Sequence, residues 1–82
     1  MDNDRHPLRV RQICRLEKGG QSLAFLLTDL EAGGFELTLM RSDLVTPSVE
    51  LFRVRHEALA EANRQLQHYV ADGWVLESEK IL

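Results

Sequence analysis

Two glycine doublets, Gly19-Gly20 and Gly33-Gly34, stand at either end of a twelve-residue stretch that holds the chain's longest apolar run, Leu23 to Leu27. A glycine pair supplies the positive φ values that tight hairpin turns demand. A chain punctuated in this way is constrained to fold as successive antiparallel strands. Lys18-Gly19-Gly20-Gln21 reads as the first turn and Glu31-Ala32-Gly33-Gly34 as the second.

The flanking segments carry strand patterns. In 8–17, Leu8, Val10, Cys14 and Leu16 fall on one face, and Arg9, Arg11, Ile13 and Arg15 on the other. In 22–30, Leu23, Phe25 and Leu27 share one face, and Ala24, Leu26 and Leu30 the other. A strand apolar on both sides is covered on both sides. Residues 35–41 alternate strictly, with Phe35, Leu37 and Leu39 inward, and Glu36 and Thr38 outward. After a loop over 42–47, a fourth strand over 48–55 places Val49 and Leu51 opposite Phe52 and Val54. That switch of face points to a bulge or a second covered surface.

Only 57–72 has a helical period. Leu59, Ala62, Leu66, Tyr69 and Val70 recur at spacings of three and four. Glu57 and Glu61 lie near the positive end of the helix dipole, and Gly73 is placed to end the helix in a left-handed conformation. Residues 74–82 then read as a fifth strand or an ordered tail, with Trp74 folding back between helix and sheet. The expected fold class is α+β: an antiparallel four- to five-stranded meander sheet with one amphipathic helix packed on one face, in the order β-β-β-β-α-β. A right-handed return sets the fifth strand beside the first, giving the order 5-1-2-3-4.

Eighty-two residues make a single domain over 1–82, with 1–7 expected to be flexible. The chain is 44% hydrophobic and 28% charged, which excludes disordered and low-complexity classes. Its longest apolar run, Leu23 to Leu27, is far below the ~20 residues of a membrane helix, so no membrane contact is expected. The polar first residues are not a secretory signal, and the expected location is cytoplasmic.

Catalytic chemistry finds little support. A single cysteine, Cys14, on the inward strand face reads as a small buried hydrophobe. His56-Glu57 resembles the opening of a His-Glu-x-x-His helix, but Ala60 stands where the second histidine belongs. His6 and His68 are too scattered to form a metal set. Neither glycine doublet lies between a strand and a helix, so neither is a phosphate loop. The expectation is no enzyme, no cofactor and no metal.

The arginines, eight against two lysines, offer a second reading. Arg9, Arg11 and Arg15 share one predicted strand face, and Arg53 and Arg55 alternate at the end of the fourth strand. Arginine stripes on a sheet can track phosphates along single-stranded nucleic acid. Against this, the net charge is −3, all of it arising in 57–82. The five aromatics look like core, which leaves none for stacking on bases. The stretch from Leu66 to Ser78, with its Gly73-Trp74 pair, is similar to a helix-end and strand segment of a small bacterial domain family. The order of four strands and a helix resembles the whirly-type single-strand-binding folds.

One helix covers one sheet face. Ile13, Leu26, Leu30, Met40 and either Val49 or Phe52 are therefore left pointing to the uncovered side. Such apolar surplus marks an interaction surface. The expected function is a small non-catalytic binding protein, a homodimer whose apolar sheet face meets a protein partner as an adaptor, assembly factor or inhibitor. The alternatives are single-stranded nucleic-acid binding through Arg9, Arg11, Arg15, Arg53 and Arg55, and a small ligand-binding protein or enzyme.

Overall fold

The structure, a computed structural model, describes residues 7–79. The expectations for the N-terminal residues before Pro7, and for 80–82, lie outside the described residues. Five strands and one helix follow the expected order: β1 (Pro7–Lys18), β2 (Gln21–Leu30), β3 (Phe35–Arg41), β4 (Ser48–Phe52), α1 (Arg55–Ala71) and β5 (Val75–Glu79). They form one antiparallel sheet ordered β4-β3-β2-β1-β5 with the helix packed against it. The described residues form two layers, helix on sheet.

β1 departs from simple alternation. Gln12 stands opposite Leu26 and Cys14 opposite Phe25, so Ile13 is an extra residue without a partner on β2. A bulge of this kind shifts every later side chain to the other face. Before it, Arg9 and Arg11 lie opposite Asp29 and Leu27 on the helix side, and Val10 and Gln12 on the open side. After it, Cys14 and Leu16 face the helix and Arg15 faces outward. The bulge resolves a difficulty in the sequence: no uniform alternation can bury Ile13, Cys14 and Leu16 together, yet all three belong to one core.

That core gathers Leu23, Phe25 and Leu27 of β2, Leu37 of β3, and Ala58, Leu59, Ala62 and Leu66 of α1, with Trp74 closing one end. Ala58 and Ala62 have no exposed surface, which lets the helix backbone approach the sheet closely. The helix begins two residues earlier than its period predicts, and β4 ends at Phe52 rather than at 55. Arg53 falls in the bend between them and Arg55 opens the helix, so neither belongs to a strand.

The helix stops with two backbone bonds characteristic of a left-handed glycine terminus. Gly73 donates to Val70 O and Trp74 donates to Tyr69 O, at 3.1 and 3.0 Å. Gly73 sits at φ +102°, as that turn requires. Lys18 donates from Nζ to the Asp72 carbonyl oxygen at 2.7 Å, placing a cation on the negative end of the helix dipole. Gly34 has a steric duty as well: a Cβ there would stand 2.9 Å from the carbonyl oxygen of Phe52.

Candidate interaction surface

The strand register fixes what the open face displays. One row across the sheet runs Gln12, Leu26, Thr38, Val49. A second runs Val10, Thr28, Glu36, Leu51, and a third Arg15, Ala24, Met40. The helix lies on the opposite side, so Met40, Val49 and Leu51 keep 48%, 45% and 53% of their surface exposed. Leu26, between Thr38 and Gln12, is half-buried by its own strand neighbours. Val10 and Val75 extend the apolar surface toward the far side of the sheet and are largely exposed.

The expected interface residues divide under this geometry. Leu26 and Met40 take their places on the open face. Ile13 does not: it is 4% exposed and belongs to the core cluster, because the bulge turns it inward beside Cys14. Leu30 lies at the end of β2, buried but outside the cluster beneath the helix. It lines a recess of about 490 Å³ together with Gly33, Gly34, Leu51 and Phe52. Of the pair Val49 and Phe52, Val49 points outward, while Phe52 packs against the core. Leu51 joins Val49 because the two are separated by one residue on a regular strand.

The arginines do not form one track. The bulge at Ile13 separates Arg9 and Arg11, on the helix side, from Arg15 on the open side. Arg15 donates from Nη2 to Glu17 Oε2 at 3.0 Å, so its charge is met within its own strand. Arg53 and Arg55 lie across the sheet, beyond the end of β4. The whole-strand pattern that joined the first three was legible only under unbroken alternation.

A polar cleft of about 410 Å³ lies beside the helix, lined by Arg41, Arg64, Gln65, His68, Tyr69 and Asp72. Its cations are engaged by neighbouring carboxylates. Arg41 donates from Nε and Nη2 to Asp43 Oδ1 and Oδ2 at 3.0 and 2.7 Å. That bidentate bond holds the Asp43 carboxyl below its ordinary range and the Arg41 guanidinium above its own. Arg64 makes the same kind of fork with Glu61, and Gln65 adds a bond at 2.7 Å. Arg64 first and Gln65 second pull the Glu61 carboxyl down to about 2. With each positive charge matched nearby, the cleft offers no surplus charge to an anion.

Cys14 is buried on the inward face, as its position in β1 requires. Among the described residues no three histidine, cysteine or acidic side chains converge to hold a metal, and no helix is long and apolar enough to cross a membrane. Comparison with family models, curated proteins and solved structures finds no match to this chain.

Proposed function

We propose that this protein works by binding rather than by catalysis, and that it self-associates as a dimer while presenting its open sheet face to a protein partner. The observation that supports this reading is the patch of Met40, Val49 and Leu51 beside Leu26, on the side the helix leaves bare. The exposed apolar groups are contiguous across two strands, whereas singly scattered ones would carry no meaning. The runner-up, phosphate tracking by arginines, loses its geometric premise when β1 is bulged.

Magnitudes set the scale of such an interaction. Covering about 400 Å² of apolar surface yields roughly 10 kcal/mol gross at ~25 cal/mol per Å². Association costs on the order of 4–15 kcal/mol in lost freedom. Contact through the face alone therefore sits near the balance point, and micromolar affinity for the protein partner is expected.

The test is a triple variant, Met40→Ser, Val49→Ser and Leu51→Ser, compared with the parent chain by light scattering at matched concentration. All three side chains are about half in water, so the fold should survive, as circular dichroism would confirm. The reading expects the parent at twice the 9.4 kDa chain mass and the variant at one chain mass. A parent that is already monomeric, or a variant that remains dimeric, contradicts it.

A further inference from the structure

We propose that two copies join through strand β4, edge to edge and antiparallel, with the two-fold axis passing beside Val49. This rests on the self-association proposed above and specifies its mode. The sheet would then run continuously through both chains, with both helices on one side and both open faces on the other.

The reason begins with how poorly β4 is enclosed. It is the edge strand of the sheet, and Ser48 through Leu51 are all exposed on whichever side they face. An edge strand presents unpaired backbone donors and acceptors, which natural sheets guard with charge, proline or cover. Here Glu50 is the sole charged residue inside the strand and Pro47 stands only at its entrance. The other edge, β5, carries two glutamates in the same length.

The same edge concentrates the exposed apolar groups. Leu44 and Val45 precede β4, Val49 and Leu51 lie on it, and Val54 follows it. Val45 is 101% exposed and touches nothing that shields it. Over two copies these side chains and their strand backbones supply area on the order of 1,000 Å², the lower bound of a stable interface. Backbone hydrogen bonds along β4 add to these apolar contacts at the edge, and the open face itself stays uncovered.

Self-pairing also selects its own register. Opposed residues in an antiparallel pair share a face, so the axis must pass beside a residue rather than between two. An axis at Glu50 would set two carboxylates directly opposite one another, which is destabilising. An axis at Leu51 would set Glu50 opposite the apolar Phe52. An axis at Val49 sets Val49 against its own copy and Glu50 against the Ser48 hydroxyl. The same register brings Leu44 and Val45 of one chain to the Arg53-Val54 bend of the other. The segment is complementary to itself, and this identifies a second copy, rather than an unrelated strand, as the occupant.

Cross-strand pairing brings the two Val49 Cα atoms about 4.5–5.5 Å apart, within the span a disulfide bridges. Val49→Cys under mild oxidation should therefore give a covalent dimer on a non-reducing gel within minutes. Val75→Cys, at the opposite edge of the same sheet, should stay monomeric. Cys14 is buried and does not compete. An equimolar mixture of Ser48→Cys and Glu50→Cys chains should cross-link to each other, which provides a second route if Val49→Cys disturbs the fold. A parent that sediments as a dimer while these variants cross-link no faster than Val75→Cys overturns the edge pairing alone. A parent that sediments as a monomer overturns the underlying reading as well.

Discussion

Trp74 donates its backbone N–H to the Tyr69 carbonyl oxygen at 3.0 Å, and the two rings meet edge to face, centroids 5.9 Å apart and 83° between planes. One residue pair thus ends the helix and closes the core. Arg41 lies against both rings, its guanidinium carbon 5.4 Å from the Trp74 centroid and 5.9 Å from that of Tyr69. The end of α1, the start of β5 and the end of β3 are held together at this point.

Trp74→Ala should remove that anchor. Trp74 is 5% exposed, and truncating a buried tryptophan costs about 3–5 kcal/mol. A domain this small holds on the order of 5 kcal/mol, so the variant should keep only about 0–2 kcal/mol and begin to unfold at the lowest urea concentrations. Urea denaturation followed by circular dichroism checks this, and an unchanged midpoint would place Trp74 outside the core.

Gly73→Ala tests the helix terminus without touching the aromatic rings. The residue sits at φ +102°, where an L side chain costs roughly 1–2 kcal/mol. The new Cβ would also meet Lys18 Cε at 3.4 Å, a contact the flexible lysine absorbs. The thermal midpoint should fall by several degrees, with Gly73→Asn falling less.

The Glu61 carboxylate gives a stability that depends on pH. Its folded pKa of about 2 lies below the ordinary 4.5. The contribution is therefore complete above pH 4.5 and disappears as pH falls from 4.5 through 2. Arg64 is largely in water, which limits the effect to about 0.5 kcal/mol. Glu61→Gln should be less stable than the parent at pH 6 and indistinguishable from it near pH 2. A gap that widens in acid would contradict the assignment.

Cys14 should be chemically quiet. It is 1% exposed within the core, out of reach of a reagent in solution, and buried structural cysteines are inert. A colorimetric thiol reagent should label it slowly in the native protein and at once in denaturant. Rapid native labelling would point to an accessible, reactive site.

Single-stranded DNA should bind no tighter than roughly 10 μM at physiological salt, weak even among non-specific interactions. Arg9 and Arg11 are on one side of the sheet and Arg15 on the other, so no continuous phosphate track exists along β1. Fluorescence anisotropy with a labelled oligonucleotide measures this. Submicromolar binding that is lost in Arg9→Glu with Arg11→Glu would favour the nucleic-acid reading.

The meander and its single helix were legible because strong local signals agreed. Glycine doublets set the turns, β3 alternates from Phe35 to Leu39, and α1 has one unambiguous apolar period. What sequence did not reveal was the bulge at Ile13. Period-2 counting has no means of detecting an inserted residue, since Gln12, Ile13 and Cys14 look alike before and after the shift. That single residue moved Ile13 into the core, and it put Arg9 and Arg11 on the helix side with Val10 on the open side. The exposed row at Val49 and Leu51 was only half legible, because β4 is short and its end at Phe52 depends on where the helix begins. The surplus of apolar side chains over what one helix can cover was plain from the pattern alone.

Whether the chain self-associates is decided by sedimentation velocity of the parent over a dilution series from about 100 μM to below 1 μM, the range where weak dimers dissociate. A species of twice 9.4 kDa is expected at the upper end, giving way to a single chain on dilution. One species of 9.4 kDa at every concentration would contradict it.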